Sequence, residues 1–163
     1  MKHGKSSKYL SVLSQINLTD AHIRQTFDYY RKCFLVNDWA QTYVQASASI
    51  PETLKCHSYV CLCDRTLGIH IPSRTSLEGG AIRGSLQQSN LLLSTGSELF
   101  RGCVVFPEID DLGNIVSAVG YRFAKRIRKG QRAVIYWQRP ENESYIGLGM
   151  KSIQEVIYEK ACF

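Results

Sequence analysis

Nowhere in this sequence do about 18 apolar residues run together, so no segment is built to cross a membrane as a helix. The opening stretch MKHGKSSKYLSVLSQ is basic but has neither a long apolar centre nor a small-residue cleavage site, which argues against a secretion signal. Without such a leader, six cysteines in 163 residues fit a reducing compartment better than a disulfide framework, and a cytoplasmic protein is expected. A phosphate-gripping loop is missing. LEGGAIRG is glycine-rich, yet it does not follow a hydrophobic strand or end in Gly-Lys-Ser/Thr. No Ser/His/Asp or Cys/His arrangement stands out, and His57 and His70 are isolated in sequence. No internal repeat or low-complexity linker interrupts the chain. These absences leave a weak enzyme signal, and no cofactor is expected.

Acidic residues are missing from one stretch in particular. Between Tyr121 and Arg139 lie Arg122, Lys125, Arg126, Arg128, Lys129, Arg132 and Arg139 with no carboxylate among them. Tyr121, Phe123, Tyr136 and Trp137 interleave those cations. Cations for phosphates and flat rings for bases are what a groove for single-stranded nucleic acid requires. The plainer reading is a solvated charged face with its aromatics turned to the core. The whole chain carries a net charge of +6, which favours polyanions without choosing between nucleic acid, membrane and acidic protein.

The remaining composition is ordinary: 44% hydrophobic and 21% charged residues supply a real core, for one domain or one domain with a helical extension. Residues 1–18 read as a loose basic arm. Thr19 or Asp20 can cap a helix in which Ile23, Phe27, Tyr30 and Phe34 recur at helical spacing. Asn37 reads as a second cap, and Ser49, with Pro51 and Glu52, as a third. The period then changes. Residues 58–64 and 68–71 read as short strands, and 76–90 as a helix ending at Asn90 in a left-handed cap. LLLS and FRGCVVFP follow around a Thr95-Gly96 turn. NIVSAVGYRF pairs back across residues 111–114, AVIYWQ is a further strand, and a closing helix starts at Ser152. The expectation is an α+β fold: helices, a small and mostly antiparallel sheet, then a last helix. Its division falls at residue 35, between an arm with a helical extension (1–35) and the α+β domain (36–163).

Two clusters could bind metal. Cys56, His57, Cys61 and Cys63 are dense, but their spacing is not that of two facing zinc hooks, and Cys61 and Cys63 share one face of a strand. Cys33 and Cys103 read as small core residues. Glu108, Asp110 and Asp111 could hold a divalent cation, as a metal-dependent nuclease would, or could simply form the turn ahead of Gly113-Asn114.

The stretch LFRGCVVFPEIDDLGNIVSAVGYR resembles the N-terminal half of the catalytic core of bacterial (DnaG-like) primases, where F-R-G, a hydrophobic strand into F-P, an acidic turn and G-x-R recur. DWAQTYVQASASIPETLK, SLQQSNLLLSTGSELF and YWQRPENE resemble further segments of that family in the same order, over about residues 38–160. The resemblance implies a basic, shallow groove that grips single-stranded template and an RNA–DNA hybrid. Arg122 takes the place of a template-phosphate contact, and Lys125 to Arg132 extend the same wall. Arg101, Tyr136, Trp137 and Arg139 complete the candidate set. It also implies a zinc ribbon before this region and a Mg²⁺-holding Toprim subdomain after it, and neither pattern is found between residues 1 and 163. Family cations fall on Ser47 and Ile135 here.

The reading is therefore a catalytically incomplete primase-core-like domain that binds single-stranded DNA or primer–template. Its partners would be a Toprim, helicase or other replication protein of a mobile element or phage, and no membrane. Its rival is an interaction module whose basic face docks on a replication or defence protein and inhibits it.

Overall fold

The structure is a computed structural model describing residues 4–123 and 129–140, with side chains from residue 18 onward. Within that range the chain runs α1 (Gly4–Leu35), α2 (Asp38–Ala46), α3 (Glu52–Lys55), β1 (Cys61–Cys63), α4 (Leu67–His70), α5 (Leu77–Gln88), β2 (Cys103–Ile109), β3 (Ile115–Arg122) and β4 (Val134–Gln138). The strands form one sheet in the order β1-β2-β3-β4, every pair antiparallel. This is the expected α+β architecture. The closing helix read from Ser152 lies outside the described residues.

Helix α1 begins at Gly4, so residues 4–18 are helical rather than a loose arm, and Thr19 and Asp20 sit mid-helix rather than at a cap. The physical reason is that no proline or glycine follows Gly4 before Leu35, and extending an existing helix costs far less than starting one. Ile23, Phe27 and Tyr30 recur every three to four residues and are buried, as their spacing requires. Asn37 caps α2 by accepting from the Ala40 N–H at 2.9 Å. The third cap falls on Pro51 rather than Ser49, whose hydroxyl instead pairs with Ser47.

Both faces of the sheet are covered at β1 and β2, which explains their near-continuous apolar sequence. Cys61, Cys63, Cys103 and Val105 face Ile23, Phe27 and Leu86, while Leu62, Val104 and Phe106 face Ala40 and Val44 of α2. The β2–β3 hairpin holds the register Cys103↔Arg122 to Ile109↔Ile115, with a bulge at Glu108/Ile109. Two strand expectations fail. Residues 67–70 form one helical turn in which Leu67 is buried and Ile69 exposed, so the alternation a strand needs has no partner surface. LLLS contributes only the bridge Leu92↔Glu98, although the turn at Gly96 is present with φ 87°.

One carboxyl belongs to this core. Glu98 is 8% exposed and accepts from the Tyr30 hydroxyl at 2.8 Å and the Cys63 thiol at 3.3 Å. Burial raises its pKa above the ordinary carboxylate range, and the two donors partly oppose the shift. The folded value lies above the unfolded one. Its stability contribution is therefore complete below the usual carboxylate pKa and is lost as pH rises through the raised value. Denaturant midpoints of wild type and Glu98→Gln, measured from mildly acidic to neutral pH, should move apart in favour of Glu98→Gln as pH rises. A constant difference would contradict the assignment.

Candidate nucleic-acid interface

Antiparallel order brings the end of β1, the start of β2, the end of β3 and the start of β4 to one end of the sheet, and each strand supplies an arginine there. Arg65 lies two residues beyond β1, Arg101 two before β2, Arg122 ends β3, and Arg132 lies two before β4. Arg65, Arg101 and Arg132 are exposed, as is Lys129 in the connection to β4. The carboxylates Glu108, near the end of β2, and Asp110 and Asp111, in the β2–β3 turn, lie at the opposite end.

The local sequence explains why this end is rigid. Phe100, 1% exposed, anchors the loop before β2 in the core. Its ring lies over Gly120 of β3, where a Cβ would stand 2.6 Å from Phe100 Cδ1. Gly102 has φ +72°, a left-handed turn that suits glycine, and a Cβ there would come within 3.1 Å of Arg65 Nη2. Between these two fixed points Arg101 is carried outward. F-R-G thus divides its labour among an anchor, an exposed cation and a turn, and the glycine of G-x-R is the seat of the anchor.

Arg122 is not an outward-facing contact. It is 8% exposed; its Nε donates to the Arg132 carbonyl at 2.9 Å and its Nη1 to the Arg101 carbonyl at 3.3 Å. A planar fork suits two carbonyls in this way. The buried guanidinium ties together the backbone of the two exposed arginines on either side of it. Arg122 and Arg65 both lie close to Cys103, whose thiol burial pushes up to about 11 while the two cations oppose the shift.

Two other candidates are also placed differently from a surface site. Trp137 is 4% exposed, its indole N–H donating to the Ser89 carbonyl and its ring 5.5 Å from Phe27, so it anchors β4 in the core. Arg139 is held by an ion pair with Asp20 and by donation to the Ile115 carbonyl at 2.8 Å, towards the acidic end. Tyr136 is half-buried, paired with Val119 on the face opposite Trp137. Lys125, Arg126 and Arg128 lie outside the described residues. Arg65 was missing from the sequence reading. A lone cation in Asp64-Arg65-Thr66 gives no sequence signal beyond following a buried strand, and only the sheet brings it to Arg101.

Neither metal cluster survives. Cys61 and Cys63 face the core, and burial raises both thiols well above their usual range. Cys56 is exposed, and His57 Nδ1 accepts from the Tyr59 N–H. Asp110 Oδ1 accepts from the Leu112 and Asn114 N–H groups and so builds the turn, while Glu108 accepts from Ser117, its partner across the β2–β3 ladder. Among the described residues no three His, Cys, Asp or Glu side chains are grouped to hold an ion. No described helix is long and apolar enough to span a membrane.

No protein-family model matches the sequence, and no curated protein matches it by sequence. Solved structures do resemble the fold. The zinc-binding and RNA polymerase domains of the Aquifex aeolicus primase match with a TM-score of 0.57 and 18% identity, over 80% of this chain and 31% of that one. A DnaG primase catalytic domain bound to single-stranded DNA matches with a TM-score of 0.54 and 16% identity, over 82% of this chain and 42% of that one. A DnaG catalytic core matches with a TM-score of 0.51 and 17% identity, over 77% and 38%. The chain thus spans about a third to two-fifths of the length of the chains it matches, and its fold is that of the N-terminal subdomain of a DnaG-like primase catalytic core.

Proposed function

We propose that this domain binds single-stranded nucleic acid along the cationic end of its sheet, as the template-holding part of a primase-like assembly. The observation that carries the reading is the convergence of one arginine from each of the four strands, with the acidic turn at the other end. Arg65, Arg101 and Arg132 take backbone phosphates, and Arg122 positions the last two through their carbonyls. Tyr136 offers a ring on the β3–β4 face, and the sequence places Lys125, Arg126, Arg128 and Lys129 between Arg122 and Arg132. The fold shared with a primase catalytic domain that holds single-stranded DNA supports the same reading. Metal-assisted phosphoryl transfer would come from another segment or a partner such as a Toprim-type or helicase subunit, because Asp110 is engaged by the N–H groups of the turn and Glu108 by Ser117. Such an assembly would serve the replication of a mobile element or a phage.

Fluorescence anisotropy with a labelled single strand of about 20 nucleotides tests the proposal across a salt series, with duplex and RNA–DNA hybrid as competitors. Tight binding that weakens steeply with salt is expected. Absence of binding at low salt, together with a stable complex with a replication protein, would favour an inhibitory interaction module instead.

A further inference from the structure

Trp39 is 71% exposed and presents a large aromatic surface. It lies one helical turn before Tyr43 on the same side of α2, about 6 Å along the helix axis. Tyr43 fixes where that side points. Its hydroxyl donates to the Arg122 carbonyl at 3.0 Å, and its ring lies 5.1 Å from Phe123, edge on. Helix α2 is therefore tied to the cationic end of the sheet where β3 leaves it, and Trp39 stands one helical turn from that tie. Leu35 and Val36, 54% and 84% exposed, make the adjoining corner apolar.

We propose that Trp39 stacks on an unpaired nucleobase of a strand whose phosphates run over Arg101 and Arg132. This rests on the single-strand reading above and adds to it the contact that discriminates bases from bare backbone. The cations alone would hold a sugar-phosphate chain with or without bases. An exposed indole one helical turn from the Tyr43 tie gives a base a flat surface, and it accepts any base because each presents a π-face. Trp137 cannot serve, being sealed in the core by Phe27 and Ser89.

The two tryptophans make the test direct. Because Trp137 is 4% exposed and Trp39 71%, quenching of intrinsic emission by a bound strand reports on Trp39. The probes are an oligothymidylate of about 20 nucleotides and an abasic deoxyribose-phosphate strand of the same length. Oligothymidylate should quench the emission and the abasic strand should not. Trp39→Ala should bind oligothymidylate about tenfold more weakly with an unchanged salt slope, and the abasic strand as wild type does. Trp39→Phe should keep most of the affinity, which separates lost stacking from a disturbed α2. If Trp39→Ala binds both strands as wild type does, the proposal is overturned and the apolar corner is left to a protein contact, while the phosphate reading stands. If wild type binds neither strand at low salt, the single-strand reading falls and this inference falls with it.

Discussion

Phe100→Ala is expected to lose about 3–5 kcal/mol of unfolding free energy, whereas Arg101→Ala next to it should change stability by less than about 0.5 kcal/mol. The contrast follows from the loop before β2. Phe100 fills the space over Gly120 and belongs to the same core cluster as Leu91, Cys103 and Val105, so truncation leaves a cavity in the main core. Arg101 is exposed and stabilises little by its side chain. The same geometry makes Gly120 intolerant. A Cβ there would meet Phe100 Cδ1 at 2.6 Å and Cys103 Cβ at 3.2 Å. Gly120→Val should therefore unfold the domain about as severely as Phe100→Ala, and the double change should not be additive, since both act on one contact. Urea unfolding of the set checks this. Equal, small losses for Phe100→Ala and Arg101→Ala would show that the loop is not anchored through the ring.

Arg122→Met should lose about 2–3 kcal/mol of stability and bind a single strand about tenfold more weakly. Methionine keeps an apolar stem but cannot donate. The carbonyls of Arg101 and Arg132 then lose the guanidinium that joins them, and the two exposed side chains must be ordered at the moment of binding. Arg122→Lys should rescue neither property, because an ammonium lacks the planar fork that spans both acceptors. Full rescue by lysine in unfolding and anisotropy measurements would show that charge alone matters at this position.

The β2–β3 hairpin was legible because its signals are local: apolar strands on either side of Asp110, Gly113 and Asn114. The helical stripe of Ile23, Phe27 and Tyr30 was legible for the same reason. What failed was not local. A strand-ending arginine looks the same in sequence whether its fork meets a phosphate or two carbonyls, so Arg122 was read as a surface contact. Trp137 alternates with Tyr136 along β4, and nothing in AVIYWQ tells which of them α1 and α5 cover. Arg65 is separated by 36 residues from its neighbour Arg101 and gave no cluster to notice. Gly68-Ile69-His70-Ile71 looked like a strand because β-propensity cannot register the lack of a partner. The charged end as a whole was visible in outline, as a run of cations after a hairpin, while the division between gripping and positioning arginines needed the sheet.

The salt dependence of single-strand binding by wild type and by an Arg65→Ala/Arg101→Ala/Arg132→Ala variant tests the central claim most directly. If the three exposed arginines each neutralise a phosphate, the slope of log K against log salt should fall by about 2 units, and affinity at about 0.15 M salt by roughly 50-fold, with the fold intact. An unchanged slope in a folded variant would contradict the account and move the interface away from this end of the sheet.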